Sequence, residues 1–415
     1  MNYEAVRELE SHVLIPTYER MPVLAVRGEG CCVYDDRGKR YLDFLGGLAV
    51  NSLGYNHPEI MKVLRDDSES LLHVSNLLYH PFQAPLAEAL ARLAHLDRVF
   101  FANSGTEATE GAIKLARVYA RKRYPADPFE RYEVLAVENS FHGRTLGALA
   151  ATWPEKYRKP FAPLPPGIHF AGLNDVESLK RNFTPRTAAL MVETIQGEGG
   201  VVELREEFLK TAQELCRRHG ALFICDEIQC GLGRTGRMFA FQKFGLDPDV
   251  VLVAKPLAAG LPLAAIIARD EVAQALSPGL HGTTFGGGPL QCRLALKTLE
   301  VIERPGFLEH VRETGAYLRG RLKALQADLP VIGEVRGEGL MLAAELAVPG
   351  KSVVKEMLDA GFLINCTQER VLRFLPPLII ERHHVDELAG ALRPILAKLA
   401  RQTGATQETQ QEVHA

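Results

Sequence analysis

The stretch DVVLVAKPLAAGLP, residues 249–262, indicates an α/β fold. Its aliphatic run, Val250 to Val253, is typical of a strand that is buried on both faces of a parallel sheet. The run leads to Lys255, which Pro256 and a series of small residues follow. A lysine at the end of a strand most often points into solvent. In an apolar, partly desolvated cleft, however, the neutral amine is favoured, and it condenses with aldehydes to a Schiff base.

The same pattern extends outward from this stretch, from about Arg98 to Ala268. Short apolar strands alternate with amphipathic helices, such as the helix predicted from Arg205 to His219 and ended by Gly220. This alternation is typical of an α/β layer structure with a largely parallel sheet. The strand segments are VFFANSG, YEVLAVENS, AALMVETIQ, ALFICDEIQ, DVVLVAK and PLAAIIAR. Ligands of such sheets bind at the carboxyl ends of the strands, so residues just past each run are candidates for chemistry.

We predict two domains and a tail. The large domain covers residues 57–304, and a smaller α+β domain combines residues 1–56 with residues 305–401. The N-terminal part contains a predicted hairpin in CCVYDDRGKRYLDFL, and the C-terminal part contains a long helix, short strands and a last helix. Residues 402–415 are polar and lack periodicity, which predicts a disordered tail.

Composition narrows the class of function. The chain has 415 residues, of which 47% are hydrophobic and 24% charged, so a sizeable core is expected. A net charge of -3 and a pI of about 6.5 speak against nucleic acid and anionic membranes as partners, which leaves small-molecule chemistry. The seven cysteines lack CxxC spacing and indicate reduced thiols, and no zinc pattern is present. With no signal peptide and no spanning apolar run, we expect a cytoplasmic protein.

Two strand ends carry groups suited to an anion and a ring. After VFFAN, residues Ser104 to Glu107 fit an S-x-x-E capping box, and a helix N-terminus offers free N–H groups to a phosphate. A plain capped helix is the commoner alternative. After YEVLAVENS, Phe141 suits a planar ring and Arg144 suits a carboxylate. The alternative there is a core phenylalanine and a surface arginine.

The segment ALFICDEIQCGLGRTG supports two hypotheses. Asp226, at the end of a buried strand, suits a protonated heterocyclic nitrogen, and Gln229 suits a ring oxygen. The same segment spells GxGxxG with Gly231, Gly233 and Gly236, which is a feature of NAD-dependent dehydrogenases. That alternative is weak, because the glycines do not directly follow the strand, no clear helix opens on them, and the carboxylates would repel a pyrophosphate.

A phosphate site, an aromatic ring, a carboxylate for a ring nitrogen and a Schiff-base lysine are together the requirements for pyridoxal 5'-phosphate. The sequence resembles the class III pyridoxal-phosphate-dependent aminotransferases of fold type I over nearly the whole chain. The resemblance rests on SGTEATEGAIKLAR, FHGRTLGALAAT, VETIQGEGGV, DEIQCGLGRTG, AKPLAAGLPLAA and HGTTFGGGPL. Within the class, the chain is most similar to acetylornithine aminotransferases, through FHGRT, LAVNSLG, HGTTFGG and INCTQERVLRFLPPL.

The resemblance implies roles for the cofactor site. Lys255 forms the Schiff base and moves protons, and Asp226 pairs with the pyridine nitrogen. Gln229 contacts the ring hydroxyl, and Phe141 stacks on the ring. The phosphate is held by Ser104, Gly105 and Thr106, and by Thr284 of the neighbouring subunit. A homodimer with shared active sites is therefore expected.

The resemblance also implies the substrates. Arg144 binds the carboxylate remote from the reacting amine, Arg373 binds the α-carboxylate of glutamate, and Glu198 covers Arg373 while the other substrate reacts. The implied reaction moves the ω-amino group of N2-acetylornithine to 2-oxoglutarate in arginine biosynthesis. The alternative donors are N-succinyldiaminopimelate, succinylornithine, ornithine and 4-aminobutyrate. A catalytically silent member of the fold is a further alternative, disfavoured by the retention of Lys255, Asp226 and both arginines.

The sequence departs from the usual family pattern at four positions. Gly288 replaces a usual Asn, Cys230 replaces a usual Thr, and Ala258 and Ala259 stand where glycines are common. None of these departures removes a chemical group named above. We expect the added methyl groups after Lys255 and the lost amide at Gly288 to change loop packing near the phosphate.

Overall fold

The structure, a computed structural model, describes residues 1–67, 70–126 and 130–413, with side chains described as far as Gln402. The helices are α1 Tyr3–Val13, α2 Gly46–Ala49, α3 Pro58–Asp67, α4 Gln83–Ala94, α5 Gly105–Arg123, α6 Leu146–Ala150, α7 Glu155–Arg158, α8 Val176–Asn182, α9 Glu206–His219, α10 Asp270–Ala273, α11 Pro289–Ile302, α12 Phe307–Asp328, α13 Lys351–Asp359 and α14 Arg382–Val413. Short 3₁₀ helices lie at Lys159–Phe161 and Ala240–Phe244.

The strands form four sheets. They are β1 Ala25–Glu29, β2 Cys32–Asp35, β3 Arg40–Asp43, β4 Arg98–Ala102, β5 Glu133–Val137, β6 Ile168–Ala171, β7 Thr187–Val192, β8 Ile195–Gln196, β9 Val202–Glu203, β10 Leu222–Asp226, β11 Val250–Val253, β12 Ala264–Ala268, β13 Ile332–Glu338, β14 Met341–Leu346, β15 Phe362–Leu363, β16 Asn365–Thr367 and β17 Val371–Phe374. The largest sheet has the order β4-β12-β11-β10-β7-β5-β6, and the others are β1-β2-β3-β15, β13-β14-β17-β16 and β8-β9.

The large sheet is mostly parallel, as predicted. Strand β12 is the exception, because it pairs antiparallel with both β11 and β4. The predicted segments all contain strands, whereas β6 at the sheet edge was not predicted. Only its last residue, Ala171, is buried, so its sequence lacks the continuous apolar run of the central strands.

The central strands are apolar throughout because both faces of the sheet are covered. In β11, Val251 and Val253 pack into one core cluster, and Val250 and Leu252 pack into the opposite one. Helix α9 contributes to the first cluster and helix α5 to the second. Each fully buried aliphatic side chain stabilises the fold by roughly 1.5–3 kcal/mol.

Helix α5 begins where the predicted capping box lies, but only half of the box forms. The Ser104 hydroxyl accepts a hydrogen bond from the Glu107 N–H group at 3.4 Å. The Glu107 carboxylate instead accepts from the N–H group of Asn103, at 2.6 Å. Hydrogen bonds before and after Ser104 therefore fix the start of helix α5. The N–H groups of the first helical turn point to the carboxyl edge of the sheet.

A separate buried cluster joins the two ends of the chain. Leu42 and Phe44 from the N-terminal part pack with Val311 and Leu372 from the C-terminal part. The predicted hairpin is present as β2 and β3, and β3 pairs in parallel with β15. This arrangement agrees with a small domain built from both chain ends, although the boundaries at residues 56–57 and 304–305 stay predictions.

The GxGxxG segment forms a loop that carries a buried arginine. Gly233 and Gly236 have φ values of 90° and 79°, which favour glycine. Between them, the Arg234 guanidinium is 1% exposed and donates to the carbonyls of Leu340 and Pro376. The glycines thus shape a link between the large sheet and the C-terminal part of the chain rather than a dinucleotide turn.

The C-terminal tail and the cysteines complete the comparison with the sequence. The backbone of α14 continues to Val413, but the side chains of residues 403–413 and residues 414–415 lie outside the described residues. The disorder predicted for residues 402–415 therefore stays a prediction. All the cysteines are free thiols and only Cys366 is not fully buried, as expected of reduced thiols. Among the described residues, no helix is long and apolar enough to cross a bilayer.

We predict that Arg234→Met lowers the free energy of unfolding by roughly 3 kcal/mol, because it leaves buried carbonyl acceptors without a donor. Urea unfolding followed by fluorescence measures the loss. The matched control is Arg393→Met, which removes an exposed ion pair with Asp328 at 2.7 Å and should cost far less. Equal effects of the two substitutions would contradict the structural role of Arg234.

Candidate active site

Strand ends from the large sheet converge on one cavity of about 390 Å³. The parallel strands β4, β5, β7, β10 and β11 contribute residues that follow their carboxyl ends. Strand β12 runs the other way, so the residues that precede it reach the same edge. The lining residues are Val50, Asn103, Ser104, Gly105, Thr106, Phe141, His142, Gly143, Arg144, Glu193, Glu198, Asp226, Ile228, Gln229, Ala254, Lys255, Gly260, Leu261, Pro262 and Leu263. Of the residues predicted for the site, all except Arg373 and Thr284 line this cavity.

Lys255 lies in the cavity, two residues past β11, and is only partly accessible. Burial lowers its pKa, and the positive charge of Arg373 lowers it further. The carboxylates of Glu198, Glu193 and Asp226 oppose this shift without cancelling it. The neutral amine is therefore more populated than in a solvent-exposed lysine, which makes Lys255 a better nucleophile and base.

Asp226 ends β10 and is held in a fixed orientation. One carboxylate oxygen lies 2.7 Å from Nδ1 of His142, and the other accepts the Ile228 N–H group at 3.0 Å. Burial lowers the pKa of His142, but the hydrogen bond and charge of Asp226, with the charge of Glu193, outweigh burial and raise it. Both residues are buried, and Nε2 of His142 has no hydrogen-bond partner among the described residues. Asp226 and Glu193 therefore favour protonation of His142, and the protonated Nδ1 atom can donate to the Asp226 carboxylate.

The N-terminus of α5 forms one wall of the cavity. Its first residues, Gly105 and Thr106, line the cavity beside Ser104. The hydroxyl oxygen of Thr106 accepts the N–H groups of Arg144 and Thr145, each at 3.2 Å. This contact ties the helix start to the segment after β5. The positive end of a helix of this length is a suitable place for a phosphate.

Phe141 and Arg144 lie at the mouth of the cavity. The Arg144 guanidinium is exposed and lies 5.3 Å from the centre of the Phe141 ring and 3.9 Å from that of Tyr157. These cation–π contacts orient the guanidinium while leaving its N–H groups accessible. An anionic end of a substrate can meet Arg144 there.

Arg373 forms an ion pair with Glu198, which lines the cavity. Nη1 of Arg373 lies 2.7 Å from Glu198 Oε1 and 3.2 Å from Gln229 Oε1. Arg373 is 1% exposed, and its Nη2 atom has no partner among the described residues. Burial raises the pKa of Glu198, but the charge and hydrogen bond of Arg373, with help from Lys255 and Gln229, outweigh it and lower this pKa. Glu198 is thus an anionic cover on a buried cation.

Thr284 lies apart from this cavity. It is exposed and lines a separate groove with Asn76, His80 and Phe285. Its predicted place in the site of a neighbouring subunit stays a prediction.

Sequence reasoning gave no role to two groups in the cavity. His142 stands inside the quoted FHGRT motif, but its contact with Asp226 joins strand ends that are 84 residues apart. Glu193 follows β7 as Asp226 ends β10, so a carboxylate at the end of a buried strand was the available signal.

Two of the four sequence departures have a visible structural consequence. The thiol of Cys230 is buried 3.8 Å from the hydroxyl of Thr194 and 3.6 Å from Glu227. Ala259 adopts a left-handed φ of 51°, which an alanine reaches only with strain. Ala258 is fully buried and is not left-handed. Gly288 caps the N-terminus of α11.

Comparison with known proteins identifies the family. Residues 14–396 match the family Aminotransferase class-III, and the chain belongs to this family. It is 47% identical over 399 residues to the acetylornithine aminotransferase of Methanocaldococcus jannaschii, covering 96% of this chain and 100% of that one. It is 48% identical over 384 residues to that of Aquifex aeolicus, covering 92% and 99%.

Solved structures agree. The ornithine aminotransferase from Toxoplasma gondii ME49 superimposes with a TM-score of 0.92 at 33% identity, covering 97% of this chain and 96% of that one. The acetylornithine aminotransferase from Elizabethkingia anophelis gives a TM-score of 0.86 at 31% identity, covering 96% and 99%. The chain is therefore a pyridoxal-phosphate-dependent aminotransferase, and the dehydrogenase alternative is wrong.

We predict that Ala259→Gly raises the free energy of unfolding by about 1 kcal/mol, because glycine adopts the left-handed conformation without strain. Thermal unfolding measures the gain. Ala258→Gly is the matched control and should lower stability, since it removes a buried methyl group and adds backbone freedom. A stability loss with Ala259→Gly would show that the strain is absent.

Proposed function

We propose that this chain moves the ω-amino group of N2-acetylornithine to 2-oxoglutarate, giving N-acetylglutamate 5-semialdehyde and glutamate, a step in arginine biosynthesis. The observation that carries the proposal is the Glu198–Arg373 ion pair within the site that holds Lys255. A covered arginine suits an enzyme that alternates between a substrate end with a carboxylate and one without. The names of the relatives at 47% and 48% identity support the choice of donor.

The cavity fits pyridoxal 5'-phosphate. When bound, this cofactor withdraws electrons from the carbon next to the reacting nitrogen. Asp226, held by His142, would face the ring nitrogen, and the residues at the start of α5 would hold the phosphate through their N–H groups. Phe141 would stack on the ring, and Gln229 would donate to its hydroxyl group.

Lys255 has two tasks in the proposal. Its amine would hold the cofactor between turnovers, and the free amine would accept a proton from the substrate carbon and later return it. A lowered pKa serves both tasks, because a base must be neutral when it accepts the proton. The surrounding carboxylates keep the protonated form accessible, so the same amine can return the proton.

The two arginines divide substrate recognition. Arg144, at the mouth, would bind the carboxylate remote from the reacting end, which both N2-acetylornithine and 2-oxoglutarate possess. Arg373 would bind the second carboxylate, which only glutamate and 2-oxoglutarate carry near the reacting carbon. Glu198 would move away for this substrate and return for the other, so that Arg373 never remains an unpaired buried charge.

We also propose a cytoplasmic homodimer. Leu77, Leu78, Tyr79 and Phe285 are exposed apolar residues around the groove that contains Thr284. An apolar surface of this kind suits a second copy of the chain. Thr284 lies in this groove, so a second copy bound there would contact it, in line with the shared site that the family resemblance implies. The free cysteines support a reducing compartment.

The visible absorption spectrum of the protein loaded with pyridoxal phosphate tests the proposed reaction. Adding N2-acetylornithine without a 2-oxo acid should remove the band of the lysine-bound cofactor, and 2-oxoglutarate should restore it. The band should be absent in Lys255→Ala, because the amine that holds the cofactor is missing. A band indifferent to N2-acetylornithine would contradict the donor and direct the search to ornithine, succinylornithine, N-succinyldiaminopimelate or 4-aminobutyrate.

Steady-state kinetics tests the division between the arginines. Arg144→Met should raise the KM of both substrates by roughly 10- to 100-fold, the range expected for a lost charge-assisted hydrogen bond. Arg373→Met should raise the KM of the oxo acid to a similar extent and change that of N2-acetylornithine much less. Equal effects of Arg373→Met on both substrates would contradict the role of the Glu198–Arg373 pair.

A further inference from the structure

Glu193 is a buried carboxylate that none of the roles above uses. It directly follows β7, lines the cavity and is 5% exposed. One carboxylate oxygen accepts the N–H group of Phe141 at 2.9 Å, and the other accepts the N–H group of Gly197 at 3.2 Å. These amides belong to different segments. The segment of Phe141 carries the aromatic ring at the mouth of the cavity, and the segment of Gly197 continues into Glu198.

Gly197 packs closely against the Gln229 side chain, which contacts the Glu198–Arg373 ion pair. A Cβ atom at Gly197 would lie 1.8 Å from Oε1 of Gln229, so any larger residue there would displace the Gln229 amide group. The same Oε1 atom accepts from Arg373, and Glu198 is the next residue along the chain. A shift of the Gly197 backbone would therefore move the two acceptors of Arg373 Nη1, Glu198 and Gln229.

We propose that Glu193 is a positioning residue that couples Phe141 to the Glu198–Arg373 pair through its two backbone hydrogen bonds. The roles of Phe141 and Glu198 rest on the proposed function, whereas the coupling itself rests only on the two contacts. Glu193 does not touch the reacting atoms. It limits how far the Phe141 ring and the Glu198 carboxylate can move independently of one another.

The charge of Glu193 depends on its surroundings. His142 faces it from the segment after β5, and Asp226 faces it from the end of β10. Cys230 and Lys255 face it from the segments after β10 and β11. Burial and the charge of Asp226 raise the pKa of Glu193, and the charge of His142 and the two backbone hydrogen bonds oppose them, which leaves this pKa at about 7. Above this pH both oxygens accept fully, and below it one oxygen is protonated. The coupling should therefore weaken as the pH falls through about 7.

Glu227 provides a matched control. It is also buried, at 1% exposure, and burial raises its pKa to about 7. Its carboxylate likewise accepts two backbone N–H groups, those of Ala240 and Phe241, each at 2.8 Å. It does not line the cavity. Glu193→Gln and Glu227→Gln therefore make the same chemical change in comparable surroundings.

Amide hydrogen exchange of the full-length protein tests the coupling directly, with and without pyridoxal phosphate. In Glu193→Gln, exchange at Phe141 and Gly197 should be roughly tenfold faster, since a neutral amide cannot accept from both donors as a carboxylate does. In Glu227→Gln, faster exchange should be confined to Ala240 and Phe241. Unchanged exchange at Phe141 and Gly197 in Glu193→Gln would overturn the proposal, whatever the substrate is.

The pH dependence of the oxo-acid KM gives a second readout. In the wild-type protein this KM should rise as the pH falls through about 7, and Glu193→Gln should remove that dependence and hold the KM roughly tenfold higher at pH 8. Glu227→Gln should keep the wild-type profile even if it lowers the melting temperature. If Glu193→Gln does not fold, Glu193→Asp replaces it, with a smaller rise expected.

A wild-type profile in the folded Glu193 variant would also overturn the proposal. Failure of the proposed function would look different. If N2-acetylornithine is not a donor, the exchange result is unaffected, and the profile is measured with whichever ω-amine reacts with 2-oxoglutarate.

Discussion

The buried guanidinium of Arg234 is the contact on which the placement of the site depends. It holds the carbonyls of Leu340 and Pro376, and its Nη2 atom lies 3.4 Å from the hydroxyl of Ser52. Pro376 closely follows β17, the strand that carries Arg373. The contacts of Arg373 with the edge of the large sheet therefore rely on a cation that bridges separate parts of the chain. Such a buried cation is tolerated because two backbone carbonyls accept from it and the negative charge of Asp43 favours it.

The site contains charges of both signs at close range, and backbone groups keep two of its carboxylates in place. Asp226 and Glu193 each accept a backbone N–H group, and the N-terminus of α5 supplies further donors. Such donors are part of the fold and need not reorganise during the reaction. Arg144 and Glu198, which we propose to face the substrates, lie nearer to solvent, whereas Arg373 is buried. The carboxylates held by backbone groups thus lie deep in the cavity, and the more adjustable side chains lie nearer to solvent.

Much of this could be predicted from the sequence, for physical reasons. Strands such as β11, covered on both faces, show continuous aliphatic runs, and the carboxyl ends of parallel strands meet at one edge. Asp226 and Lys255 could therefore be singled out locally. The edge strand β6 has little burial and hence no such run, and nothing in the sequence of β12 records its reversed direction. The antiparallel pairing is settled by contacts with β4 and β11, the first of which is distant in sequence.

Contacts between segments that are distant in sequence could not be predicted from the local sequence pattern. Arg373 and Glu198 are 175 residues apart, and only family resemblance suggested their pairing. The partners of His142 and Glu193 depend on how strand ends are packed side by side, which composition and periodicity do not determine.

The reversed direction of β12 also affects how the chain can fold. A parallel strand at this place would need a crossover of a dozen or more residues, usually a helix, whereas residues 254–263 alone join β11 to β12. Closing a short loop costs little chain entropy and is fast. Lys255 lies in this connection, the most local one between neighbouring strands of the large sheet. The nucleophile can therefore acquire its backbone setting early, before the distant carboxylates and arginines that adjust its basicity are assembled around it.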